Sequence, residues 1–276
     1  MVGFPLPTTT GFTSIQGNFP ATVQNTGFEI ELNTHNIETS NFKWTTSFNI
    51  SVPRNKLVDF PNIKQFPAYA NTYVVGEPLG IRKLYNYTGI NPTTGVYRFE
   101  DVNKDGAYNL DDRQTVRFVG PDYFGGLQNS FQFKGFQFDF LFQFVKQTGS
   151  NYFSMFDTPG IVGSEPSLVL DRWKQEGDQA PTQRFGTTGE PVAAYSRFLT
   201  SQQSVGDASF IRLKNLSLSY VLSQKWIEKM KMDNVRIFIQ GQNLMTITNY
   251  RGLDPETQGS LLPPLRVITI GIHLTF

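Results

Sequence analysis

The sequence predicts an all-β chain: an antiparallel transmembrane β-barrel segment, an open curved sheet of about seven to nine strands with long extracellular loops. Three observations predict it. Strand-length stretches alternate apolar and polar residues with period two. Phenylalanine is abundant, at 25 of 276 residues, while only 17% of the chain is charged. The connections between the alternating stretches are either short or very long, the asymmetry of a membrane barrel.

The last stretch shows the pattern most cleanly. Ile268, Ile270, Ile272, Leu274 and Phe276 fall on one face, and Val267, Thr269, Gly271, His273 and Thr275 on the other. Apolar side chains toward lipid, polar ones toward the lumen and a terminal aromatic are how outer-membrane barrels end. Earlier in the chain, residues 1–26 are rich in Thr, Pro, Gly and Asn and read as irregular. Phe28, Ile30 and Leu32 then alternate with Glu29, Glu31 and Asn33. A second strand sets Phe42, Trp44, Phe48, Ile50 and Val52 against Lys43, Thr45, Ser47, Asn49 and Ser51, with Pro53 expected to end it. That length suffices for a tilted crossing, which takes about 9 to 11 residues.

Residues 54–126 and 148–207 read as long extracellular loop regions. The first holds a short strand near 79–87 and room for one further hairpin by residue 100; the second holds a helical piece at 168–175. Loops of this length are usually functional or disordered. Between them lies the strongest local signal, a hairpin turning at Lys134-Gly135. Leu127, Phe131 and Phe133 lead in; Phe136, Phe138, Phe140, Phe142 and Phe144 lead out, expected on the same convex, exposed face as Ile268 to Leu274. Strands at 210–222 and 235–247 follow, joined by a short helix capped by Ser223, and residues 249–264 form the last loop. With the C-terminus on the periplasmic side, the 134–135 and 223–234 connections are periplasmic.

Composition narrows the function. With 24 basic and 23 acidic residues, nothing suggests a nucleic-acid partner. The absence of cysteine excludes disulfides, thiolate metal sites and cysteine nucleophiles. No apolar run approaches the roughly 18 residues of a membrane helix, so any crossing is by strands.

The sharpest motif runs from Asp101 to Asp112. Asp101, Asn103, Asp105, the Ala107 carbonyl, Asn109 and Asp112 occupy positions 1, 3, 5, 7, 9 and 12 of a calcium-loop spacing, with Gly106 at position 6. Asp in place of Glu at position 12 weakens the clasp. The expected cofactor is a structural Ca²⁺ that stiffens the loop; the alternative is an acidic turn without metal. Enzyme signatures are absent: no nucleophile elbow, phosphate loop or His-Glu-x-x-His. His35 and His273 read as strand-end or lumen residues, and Glu29, Glu31, Asp111 and Asp112 as lumen or metal-loop residues. Tyr73, Tyr85, Tyr87, Tyr97, Tyr152 and Trp173 either stack on sugars or pack the loops.

The order of separated motifs (Gly27-Phe-Glu-Ile-Glu-Leu, Phe42-Lys-Trp, Asp101-Val-Asn-Lys-Asp-Gly, Gly125-Gly-Leu-Gln-Asn, Phe210-Ile-Arg-Leu-Lys-Asn, Gln242-Asn-Leu, Gly252-Leu-Asp-Pro-Glu and the closing strand) resembles the C-terminal part of SusC/RagA-family TonB-dependent outer-membrane transporters of Bacteroidetes. The resemblance covers nearly the whole chain. It implies a share of a barrel of about 22 strands in the cell outer membrane that imports oligosaccharides or peptides, contacts membrane lipid, is capped by a SusD-like surface lipoprotein and is powered by TonB. A signal peptide, TonB box, plug and first half of the barrel are not found in these residues, so the expectation is a non-enzymatic barrel fragment that does not transport alone. A soluble all-β carbohydrate-binding module with a structural calcium is the alternative, and a metal-dependent glycan-cleaving enzyme the weaker rival.

Overall fold

Period-two alternation becomes a single antiparallel meander in the computed structural model, which describes residues 2–18 and 20–276. In chain order the elements are β1 (Val2–Pro5), β2 (Ser14–Gly17), β3 (Thr22–Glu38), β4 (Phe42–Asp59), α1 (Pro67–Ala70), β5 (Ile81–Leu84), β6 (Tyr87–Ile90), β7 (Tyr97–Phe99), β8 (Thr115–Phe118), β9 (Gly120–Phe133), β10 (Phe136–Ser150), α2 (Glu190–Phe198), β11 (Val205–Asp207), β12 (Phe210–Val221), α3 (Gln224–Met230), β13 (Asn234–Thr248) and β14 (Val267–Thr275). The main sheet has the order β14-β13-β12-β10-β9-β4-β3, and β11 extends the β12 side of β10. Among the described residues β3 pairs only with β4 and β14 only with β13, so the sheet is open, as expected. Among them, too, no helix is long and apolar enough to cross a membrane.

Register turns alternation on each strand into two continuous faces. Phe42, Phe133, Phe136, Tyr220, Ile237 and Ile272 stand in one row, and Trp44, Phe131, Phe138, Leu218, Ile239 and Ile270 in the next. One residue out of phase, Thr45, Ser130, Asp139, Ser217, Gln240 and Thr269 form a row on the opposite face. The apolar face is not a core: Ile270 is 73% exposed and Phe136 50%. Phe140, Phe142 and Phe144 share this face but are half-buried rather than exposed. Neighbouring rings cover them, with Phe140 and Phe142 5.6 Å apart and Phe144 stacked on Phe48 at 6.0 Å. Asn129, which stands on the apolar face, accepts from Trp44 Nε1 at 2.8 Å and from the Thr46 hydroxyl at 2.6 Å, so its carbonyl is satisfied without water. The aromatic Phe238 breaks the polar face because Gly271 lies opposite: its ring occupies the space a Cβ there would need.

Several strand ends differ from the sequence reading. β3 runs Thr22–Glu38, well beyond the stretch of clean alternation, and β1 and β2 pair within a region that reads as irregular. β4 passes through Pro53 to Asp59. Proline is tolerated there because the ladder from β4 to β9 ends at Ser51 opposite Phe124, so no β9 partner asks for a donor beyond it. Arg54 bridges the gap instead, donating from Nη1 to the carbonyls of Asp122 and Pro53.

The two long loops fold together. β5 pairs with β8 and β6 with β7, outside the main sheet. Tyr85, Val96, Tyr97 and Phe99 from the first loop form a buried core with Ala194, Tyr195 and Phe198 of α2 from the second. Tyr97 stacks on Phe198 at 4.4 Å, and burial pushes the Tyr195 hydroxyl up to about 12. Backbone bonds seal the contact, from Tyr85 N to Thr200 O and from Gln202 N to Tyr85 O, both 3.1 Å. Gly95, at φ +69°, leaves room for the Trp173 ring, whose Nε1 donates to Pro92 O. The helix of the second loop is thus α2; the expected helical piece at 168–175 is a single 3-10 turn, Ser167–Asp171.

Candidate functional site

The polar face carries a buried ion-pair network centred on Arg212. Arg212 lies on this face, one residue out of phase with the apolar Ile211 and Leu213, and is buried. Its guanidinium pairs with Asp254 and, at 2.6 Å, with Glu256, while Nε donates to the Thr246 hydroxyl at 3.0 Å. Lys214 joins Glu256 at 3.0 Å. Asp254 also accepts through Oδ1 from the backbone of Glu256 and Thr257, closing the turn that presents both carboxylates. Gln147 Nε2 donates to Pro255 O at 2.8 Å, Ser150 N to Gln258 Oε1 at 2.8 Å, and the Tyr250 hydroxyl to Ser150 O at 2.9 Å. The last loop is therefore clamped across the polar face to β10 and β12.

Beside the clamp the sheet is indented. β12 bulges at Lys214, between Leu213 and Asn215, and β13 bulges opposite it, with Asn243 at φ 52°. Bulges re-aim side chains next to functional surfaces. Here they open a concavity of about 570 Å³ lined by Asn49, Gln143, Lys214, Asn215, Gln242 and Asn243, among others. Phe124 and Leu141 line it beside these carboxamides and the Lys214 ammonium. The two histidines stand on the same face, His35 opposite Thr45 and His273 opposite Arg236.

The six positions of the calcium-loop spacing lie on one hydrogen-bonded turn. Gly106 N donates to Asp101 Oδ2 at 2.9 Å, Asp105 N to Asn103 Oδ1 at 3.1 Å and Ala107 N to Asp105 Oδ1 at 2.8 Å. The Ala107 amide, then the Asn103 side chain, holds the Asp105 carboxyl below the usual carboxylate range. Asp112 is buried and accepts from Val102 N and Asn109 N, capping the 3-10 turn Leu110–Asp112. Among the described residues no three His, Cys, Asp or Glu side chains gather as a metal cluster. One oxygen, Asp101 Oδ1, is buried without a partner. Of the loop aromatics, Tyr85 and Tyr97 are buried in the loop core, and Tyr73, Tyr87, Tyr152 and Trp173 are half-buried.

The clamp is the functional feature that sequence reasoning missed. Its signal was Arg212 with Lys214, the two cations of a strand whose other residues are neutral, but the partners of Arg212 lie 42 and 44 residues away. Because the Arg212–Asp254 pair is buried, replacing Arg212 with Ala leaves Asp254 without a counter-ion while Glu256 keeps Lys214, a loss of about 3–5 kcal/mol. Limited proteolysis should then cut within 249–266 and leave β12 and β13 intact; resistance equal to the parent's would show that the clamp does not hold the loop.

No family model matches the chain. It is 29% identical to TonB-dependent receptor P3 of Formosa agariphila, over 99% of this chain and 30% of the relative, and 22% identical to TonB-dependent receptor SusC of Bacteroides thetaiotaomicron, over 98% and 28%. In fold it is similar to the RagAB peptide importer in its open-open state, with a TM-score of 0.75 at 23% identity, covering 100% of this chain and 31% of that one. The chain thus spans about a third of the length of the relatives it matches. Two-faced strands and matched relatives agree: over nearly its whole length the chain is similar in sequence to a part of TonB-dependent receptors, and in fold to a part of the RagAB importer.

Proposed function

We propose that this chain is part of the wall of an outer-membrane importer, driven by TonB and capped by a SusD-like surface lipoprotein, that takes up oligosaccharides or peptides. The observation that carries the reading is the apolar face continued in register across β4, β9, β10, β12, β13 and β14, half-buried on β4 and exposed at Phe133, Phe136, Leu218, Ile237, Ile239 and along β14. A bilayer covers such a face, whereas a water-soluble carbohydrate-binding module would expose far more than the few hundred Å² of an ordinary patch. The short connections 39–41, 134–135 and 222–233 share one end of the sheet and are periplasmic in this reading; the long ones, 60–119, 151–209 and 249–266, share the other and are extracellular.

The relatives' names support receptor coupling to TonB, and the RagAB importer is a peptide importer. In cells carrying the parent gene, removing the codons for 266–276 should abolish growth on one class of oligosaccharide or peptide and spare growth on free sugars and amino acids. Unchanged growth on every oligomer tested would contradict the importer reading.

We also propose that loop 101–112 takes Ca²⁺. Support comes from the spacing of Asp101, Asn103, Asp105, Ala107, Asn109 and Asp112 and from the unpartnered Asp101 Oδ1. Calorimetry should give a dissociation constant of about 10⁻⁴–10⁻³ M, the range of extracellular modules. Asp101→Asn with Asp105→Asn should weaken binding and expose the loop to protease without altering the strands. No heat of binding to the parent chain would retire the site.

A further inference from the structure

Helix α3, at the short-turn end of the sheet, is two-sided. At 100° per residue, Trp226, Met230 and Ile227 form one apolar arc and Lys225, Lys229 and Glu228 lie outside it, while Lys231 follows as the left-handed C-cap. Ile227 is 4% exposed, while Trp226 is 62% and Met230 40% exposed. At the same end Val235, on the apolar face of β13, is 5% exposed, against 44% for Ile237 one step along that face. Part of the apolar arc is thus buried and the rest lies open. Val235 stands opposite Leu274 one step beyond the row Phe42, Phe133, Phe136, Tyr220, Ile237 and Ile272, so the apolar face runs on to this end of the sheet.

Charge follows the same line. Lys229 Nζ stands 5.6 Å over the Trp226 ring, and Lys134, in the adjacent β9–β10 turn, 5.3 Å over Phe133. Four lysines (134, 225, 229 and 231) face two acids (Glu228 and Asp233) across these two connections, while Glu38 and Lys43 neutralise each other in an ion pair. Lysines with aliphatic stems and charged tips, set beside tryptophan, belong at a headgroup boundary, where the stems lie on apolar surface and the ammonium groups reach the phosphates.

We propose that α3 is an interfacial anchor, with Trp226 and Met230 entering the acyl boundary at the short-turn end and Lys225, Lys229 and Lys231 binding the phosphates of phospholipid headgroups there. The proposal rests on the membrane reading given above. It fixes the depth of the sheet at that end, because the helix continues the last apolar row and cannot sink farther without dragging its lysines into hydrocarbon.

The chain carries three tryptophans, Trp44 on the apolar face, Trp173 in a long loop and Trp226 on α3, which makes depth-dependent quenching a direct test. The chain, together with the further strands that its two edges require and with any tryptophan outside residues 1–276 replaced by Phe, is placed in phosphatidylcholine vesicles containing phosphatidylglycerol, with bromines either shallow or deep on the acyl chains, and compared with Trp44→Phe, Trp173→Phe and Trp226→Phe. Shallow bromines should quench Trp226 more than deep ones. The triple variant Lys225→Glu, Lys229→Glu, Lys231→Glu should lose about tenfold or more of the preference for phosphatidylglycerol over phosphatidylcholine alone. Quenching of Trp44 with Trp226 left open to aqueous iodide would overturn the anchor, mark α3 as a face for a soluble protein and leave the membrane reading standing. Quenching of neither would remove the membrane reading and the anchor together. An unchanged lipid preference in the triple variant would overturn the phosphate contact.

Discussion

Everything in this structure depends on one constraint: backbone N–H and C=O groups facing hydrocarbon have no water to bond, so each must find another strand. The meander meets that constraint for its five inner strands, each laddered on both sides. β3 and β14 are laddered on one side only among the described residues, so placement in a bilayer requires further strands against both. A sheet of this width matching about a third of its relatives' length is in accord with that requirement.

Once the ladders are fixed, the two faces follow, and with them the division of labour. Period two sends phenylalanine and isoleucine outward and glutamine, serine and asparagine inward, without any further specification. The long-loop end faces a different problem, since its backbone lies beyond the sheet and its chains are too polar to collapse alone. It is solved by an aromatic core shared between two loops far apart in sequence, Tyr97 against Phe198, and by Arg212 holding the last loop through two carboxylates. Both devices join segments that follow different strands, so the loop end is tied across the sheet.

How much of this was legible in the sequence depended on the range of the interaction. Strand identity and facing were legible, because alternation is local. The passage of β4 through Pro53 was not, since it turns on where the neighbouring ladder ends, at Ser51 opposite Phe124. The half-burial of Phe140 and Phe142 was hidden for a similar reason: their cover comes from rings along the row, not from another layer. α2 escaped because Gly189 and Pro191 at its start read as loop, while its buried face, Ala194, Tyr195 and Phe198, is too short to show a helical period. At the candidate site the 101–112 turn was legible as a spacing, whereas the Arg212 clamp depended on partners some forty residues away.

The central claim is that the two faces of one strand meet different media, and β14 tests it most directly. The chain has no cysteine, so a cysteine placed singly at each position from 267 to 274 can carry a nitroxide label once the chain, with the further strands that its two edges require and any cysteine outside it replaced by Ser, is placed in lipid vesicles. Collision rates with oxygen and with a water-soluble nickel complex should each oscillate with period two and in opposite phase, oxygen favoured at 268, 270, 272 and 274 and nickel at 267, 269, 271 and 273. Profiles that rise and fall together, or show no period, would contradict the account.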